Sequence, residues 1–160
     1  MVFIIKNRFK STNLSRGEKY LVAYIKGNKE NSSIKGMVKF IEKPSGTLVV
    51  LEISGLPNKE KNNFFGFHIH SGGECVQNNG EAFSSALSHF DLENNKHPNH
   101  SGDLPMIYSN DGYAYMQFYT NRFNINHIIN KTVIIHELED DLKTDPAGNS
   151  GMRIACGVIK

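Results

Sequence analysis

Two histidines one residue apart, in Gly66-Phe67-His68-Ile69-His70, raise the first chemical question of this sequence. On an extended strand, residues i and i+2 project from the same face. His68 and His70 therefore point together, while Phe67 and Ile69 point the other way, into a core. Two convergent imidazoles are half of a site for zinc or copper; on an exposed strand the same pair is also compatible with no role. A second group follows: His89, His97, His100 and Asp103 fall within fifteen residues. Three imidazoles and a carboxylate can close the tetrahedral site that structural zinc requires. His97-Pro98-Asn99-His100 suits a β-turn with proline at its second position, which brings the first and fourth Cα atoms within about 7 Å. Both rings can then reach one ion. A polar loop with scattered histidines is the alternative. His136 ends the apolar run Thr132-Val133-Ile134-Ile135, where a lone histidine is more often a hydrogen-bonded core residue than a ligand. His127 lies in a polar stretch and is given no role.

The elements that must position these side chains are strands. Seven segments alternate or are rich in β-branched and aromatic residues: 20–26, 34–42, 47–53, 64–70, 112–119, 131–136 and 153–159. Turn residues separate them, and Asn110-Asp111-Gly112 is the strongest hairpin signal. Many short strands of this kind predict an all-β sandwich or barrel. Residues 71–110 have little strand character, and a loop that long in a compact domain is usually functional. Five of the seven histidines fall between His68 and His100, at or just before this loop.

Composition narrows the function classes. At 160 residues the chain is one domain's worth. Eighteen basic against sixteen acidic residues give a net charge of only +2, so the basic stripe of a nucleic-acid binder is absent. No apolar run approaches the roughly 18 residues of a membrane span. Two cysteines exclude a disulfide-dense scaffold. No secretory signal is visible near Met1, which predicts a cytoplasmic protein, with a virion protein or a processed secreted form left open.

Taken together, Gly66-Phe-His-Ile-His70, Ser88-His89-Phe90, His100-Ser-Gly-Asp103-Leu, Ile135-His136-Glu, Asp140-Asp141-Leu142 and Gly151-Met-Arg153-Ile-Ala-Cys156-Gly-Val resemble copper/zinc superoxide dismutases, in the family's order. The resemblance covers residues 19–159 and implies an eight-stranded Greek-key β-barrel, an immunoglobulin-like sandwich, with long metal-binding and shortened electrostatic loops. It implies copper held by His68, His70, His89 and His136, and zinc held by His89, His97, His100 and Asp103. His89 would bridge the metals and carry a proton during turnover. Arg153 would guide the superoxide anion. Asp140 would link His68 to His97, and Cys75 would be bonded to Cys156. A domain of residues 19–160 would then follow an extension of residues 1–18 whose role is open. A homodimer and loading by a copper chaperone are left open, as is a catalytically impaired relative that sequesters copper.

The sequence also departs from the family. Only two residues separate His97 from His100, which puts the geometry of the zinc loop in doubt. The segment between His136 and Arg153 is short, with Asp145-Pro146-Ala147 where animal members carry charged steering residues, and Lys143 as a candidate substitute. Ile128 and Ile129 align with apolar dimer-interface positions.

Overall fold

The computed structural model describes residues 17–59, 63–78 and 80–160. The extension expected at residues 1–18 therefore lies almost wholly outside the described residues. The chain forms β1 (Tyr20–Gly27), β2 (Lys35–Lys43), β3 (Gly46–Ser54), β4 (Phe64–Phe65), β5 (Phe67–His70), β6 (Ile107–Tyr108), β7 (Tyr113–Thr120), one-turn helix α1 (Ile125–Ile128), β8 (Thr132–His136) and β9 (Arg153–Val158). Seven strands make one antiparallel sheet, curled, in the order β5-β8-β9-β1-β2-β3-β7, and β4 pairs separately with β6. Among the described residues no helix is long and apolar enough to cross a membrane.

Six of the seven predicted strands form within a residue or two of their expected ends. The seventh, predicted over 64–70, breaks at Gly66 into β4 and β5. There the chain turns its hydrogen bonds to the end of β8: the Gly66 N–H donates to the Leu138 carbonyl (2.7 Å), and the Gly66 carbonyl accepts from His136 (2.8 Å). Strand β6 lies inside the stretch expected to lack strands; it is too short to leave a periodic signal. At the expected hairpin, Asp111 and Gly112 both have positive φ (50° and 75°), as a type I′ turn requires. Asn110 and Tyr113 exchange N–H···O bonds of 2.8 and 3.0 Å across it.

Period-two alternation places the core. Val38 and Phe40 of β2, Val49 and Leu51 of β3, and Val133 and Ile135 of β8 all enter one buried apolar cluster. Phe67 and Ile69 join it, as the sequence requires. Ile128 is also fully buried there, so it is a core residue and not an interface one, whereas Ile129 faces outward.

The opposite face of β5-β8-β9 carries the chemistry and is roofed by the loop after β5. This loop docks along the free edge of β5 as a strand would. The Ile69 N–H donates to Gly102 (2.9 Å), the Ile69 carbonyl accepts from Phe90 (2.8 Å), and the Ser71 N–H donates to Ser88 (2.9 Å). Gly102 is required by this closeness: a Cβ there would stand 2.4 Å from the Ile69 oxygen. The pairing sets His89 opposite His70 and Asp103 opposite His68.

The Cys75–Cys156 disulfide ties the same loop to β9 with its Cα atoms 5.7 Å apart, beside Ala86, Phe83 and Ile134. Closing about 80 residues is worth roughly 4 kcal/mol in the chain-entropy account. Because the main core lies on the other face of the sheet, reduction is expected to lower the melting temperature and raise hydrogen exchange over residues 71–90 while the β-sheet circular dichroism persists. Loss of that sheet signal on reduction at room temperature would contradict this.

Candidate metal centre

His68 and His70 are almost completely buried on β5. Each ring is fixed from behind by an acceptor, which determines the nitrogen left free. His70 Nδ1 donates to the Leu87 carbonyl (2.8 Å), leaving Nε2 as its lone-pair atom. His136 Nδ1 donates to the Gly151 carbonyl (3.2 Å), so its Nε2 is free as well, 3.4 Å from that of His70. A register shift in the β8–β9 pairing falls between Ile135 and His136 and leaves His136 opposite Arg153; such irregularities re-aim side chains. His68 donates through Nε2 to Asp140 Oδ2 (2.7 Å), and its Nδ1 is buried with no partner among the described residues.

A second cluster adjoins the first. His97 donates through Nε2 to Asp140 Oδ1 (2.9 Å), and its Nδ1 lies 3.2 Å from Asp103 Oδ2 but out of line for a hydrogen bond. His100 Nδ1 is 3.1 Å from Asp103 Oδ2, and His89 Nδ1 is 2.7 Å from Asp103 Oδ1. The other nitrogen of His89, Nε2, is buried and has no partner among the described residues. One ligand atom from each of His68, His70, His89 and His136 lies within 4.8 Å of the others, and the same holds for His89, His97, His100 and Asp103. His89 belongs to both groups. The short His97–His100 connection thus still brings its rings together with His89 and Asp103.

Buried ring nitrogens without partners are costly, and three of them, on His68, His89 and His97, point into these clusters. Metal ions satisfy them: the all-imidazole group suits copper, and three imidazoles with one carboxylate suit zinc. Burial also favours the neutral, ligating form of His70, His89 and His136. It lowers His89 to about 4, partly offset by the Asp103 hydrogen bond. It lowers His136 to about 3, reinforced by the repulsion between protonated rings that His68 adds. His70 is pushed well below its usual range by burial and by the same kind of repulsion from His89 and His136. Burial alone would raise Asp140, yet hydrogen bonds from His68, the Leu142 amide and His97 hold it at about 2.

These shifts fix a sign. Unfolded imidazoles take up protons near pH 6.5, whereas folded His89 does so only near 4 and His136 near 3. Below pH 6.5 the unfolded chain binds more protons, so stability falls as pH falls. The metal-free protein is expected to lose several degrees of melting temperature between pH 7 and pH 5. A flat profile over that range would contradict the burial of neutral rings.

The structure brings together every predicted ligand, together with Asp140, Arg153 and the two cysteines. Arg153 donates through Nη1 to the Phe83 carbonyl (2.8 Å) and through Nη2 to the Leu87 carbonyl (2.6 Å). Leu87 therefore ties Arg153 and His70 through one oxygen. Sequence reading missed Phe83 and Leu87 because any residue supplies a carbonyl. It also gave no role to Asp145, noted only as standing where animal members carry steering residues: its Oδ1 accepts the His97 N–H (2.8 Å), so it braces the second cluster. His127 serves α1, where it forms a capping box with Asn124.

A curled antiparallel sheet carrying two metal clusters that share one imidazole defines a binuclear metalloprotein with a site for a redox metal beside a site for a structural one. A family model for copper/zinc superoxide dismutase matches residues 34–159. The chain is 40% identical over 140 residues to superoxide dismutase [Cu-Zn] 2 of Aquifex aeolicus, covering 78% of each chain. It is 35% identical over 149 residues to the copper/zinc superoxide dismutase of Deinococcus radiodurans, covering 82% of this chain and 80% of that one. It is 31% identical over 142 residues to that of Paramecium bursaria Chlorella virus 1, covering 79% and 72%. The chain belongs to the copper/zinc superoxide dismutase family, and its two clusters bind copper and zinc.

Proposed function

We propose that this protein is a superoxide dismutase, with copper on His68, His70, His89 and His136 and zinc on His89, His97, His100 and Asp103. The observation that carries the reading is His89, whose ring belongs to both clusters. Copper, when bound, supplies the redox chemistry: one superoxide gives up an electron and leaves as dioxygen, and a second takes that electron with two protons and leaves as hydrogen peroxide. The protein's residues do the rest. Arg153 presents a permanent positive charge to a small anion, and its anchoring on the carbonyls of Phe83 and Leu87 keeps that charge beside His70. His89 Nε2, which has no hydrogen-bond partner among the described residues, takes up and returns a proton. Asp103 orients His89 from the other nitrogen, and Asp140 fixes the rings of His68 and His97.

The same reading makes residues 19–160 a closed eight-stranded Greek-key barrel. Its support is that β4 runs into β5 and that the Asn110–Tyr113 turn joins β6 to β7, so the β4–β6 pair links the two edge strands of the large sheet. The test of function is the decay of superoxide with the copper- and zinc-loaded protein against its His136→Ala variant, which keeps the second cluster intact. Decay at least about 100-fold faster with the wild type is expected. Equal rates would favour a metal-sequestering module.

A further inference from the structure

We propose that Arg122 is a positioning residue for zinc: its guanidinium gathers the backbone of the short loop so that the donors of His97, His100 and Asp103 converge before the metal arrives. This rests on the zinc site described above. Arg122 Nη1 lies 3.0 Å from the Pro98 carbonyl, 2.9 Å from that of His100 and 3.3 Å from that of Asp103. Two of these carbonyls belong to zinc-binding residues, and the third lies inside the two-residue connection between His97 and His100. A hydrogen bond from a charged donor is about twice as strong as a neutral one, and here one nitrogen reaches three carbonyls of a loop whose Asp103 end pairs with β5 while its Pro98–His100 turn does not.

The arginine is itself on a firm base. Its N–H donates to Thr120 Oγ1 at the end of β7 (3.2 Å). Its neighbour Phe123 is buried in the core, packs edge-on against Phe40 with ring centroids 6.4 Å apart, and accepts from Thr47 at 3.2 Å. On the other side of the loop, Asp145 holds the His97 N–H, and Asp91 holds the N–H and hydroxyl of Ser101 at 3.0 and 3.2 Å. Arg122 thus supplies the external hold on the carbonyl side, which the shortened connection cannot supply for itself.

The charge and the clamp act in opposite directions. A guanidinium next to a cation site weakens metal binding by repulsion, so removing it would tighten zinc if charge were its main effect. Removing a clamp loosens zinc. The test measures Zn2+ affinity by chelator competition, the visible spectrum of Co2+ bound at the same site, and the melting temperature of the metal-free protein, for the wild type, Arg122→Met and Arg122→Lys. The expected result is zinc binding about 10-fold weaker in Arg122→Met, a smaller loss in Arg122→Lys, and a Co2+ spectrum altered in shape, with the metal-free melting temperature nearly unchanged. Zinc binding equal to or tighter than wild type in Arg122→Met would overturn the proposal. So would a loss of affinity fully matched by a fall in metal-free stability, since that would mark an ordinary structural contact. Failure of the wild type to bind Zn2+ or Co2+ would instead overturn the zinc-site assignment on which the proposal stands.

Discussion

Replacing Asp140 by leucine is expected to weaken both metal sites together, each by about 10- to 100-fold. The carboxylate lies between the clusters, with one oxygen accepting from His68 Nε2 and the other from His97 Nε2 and the Leu142 amide (2.7 Å). Leucine keeps the bulk and accepts nothing. Both rings then lose the bond that fixes which nitrogen faces the metal. Gly148 packs closely against the carboxylate: with φ +63°, a Cβ there would stand 2.0 Å from Asp140 Oδ1. Asp140→Asn should be milder and one-sided, because an amide keeps one accepting oxygen and can serve only one of the two rings as acceptor. Separate copper and zinc competition titrations check this. A loss confined to one metal in Asp140→Leu would show that the carboxylate does not couple the sites.

Arg153→Ala is expected to slow superoxide turnover by about 10-fold or more and to weaken inhibition by small anions in parallel. Electrostatic focusing of an anion by a charged cleft raises encounter rates by about 10- to 1000-fold, and this chain's net charge of +2 leaves little long-range field to supply it. Arg153→Lys should fall between, since an ammonium keeps the charge but cannot span the Phe83 and Leu87 carbonyls as a guanidinium does. Lys143, exposed on the segment before β9, should matter less. Long-range attraction is screened over about 8–10 Å in physiological salt, whereas a charge beside the site is screened little. The wild-type rate should therefore vary weakly with ionic strength. A steep salt dependence abolished by Lys143→Ala would show that the short segment still steers.

Much of this was legible in the residues because period-two patterning is a local property. His68 and His70 had to share a face once Phe67 and Ile69 were given to the core, and the structure places them so. The zinc donors were legible as residue types, but their convergence depended on the loop pairing with the free edge of β5, which no local pattern encodes. Asp140 was distinguishable from its neighbours Glu139 and Asp141 only by family resemblance. Leu87 and Phe83 act through backbone oxygens, which are the same for every residue type. Arg122 and Asp145 act on backbone groups distant in sequence, so their roles appear only when the loops are folded against each other. The break at Gly66 and the two-residue β6 were invisible because their hydrogen bonds are set by tertiary pairing.

A single ring serving two metals is the feature on which the proposed chemistry turns. The direct measurement is the electron paramagnetic resonance signal of Cu2+ in the first cluster, with Zn2+ and then Co2+ in the second. If His89 Nε2 and Nδ1 face the two ions, its ring couples their unpaired electrons. The copper signal seen with Zn2+ should then broaden or vanish with Co2+, and should return in full when Co2+ is withdrawn. A copper signal indifferent to Co2+ at full occupancy of both clusters would show that the ions do not share His89.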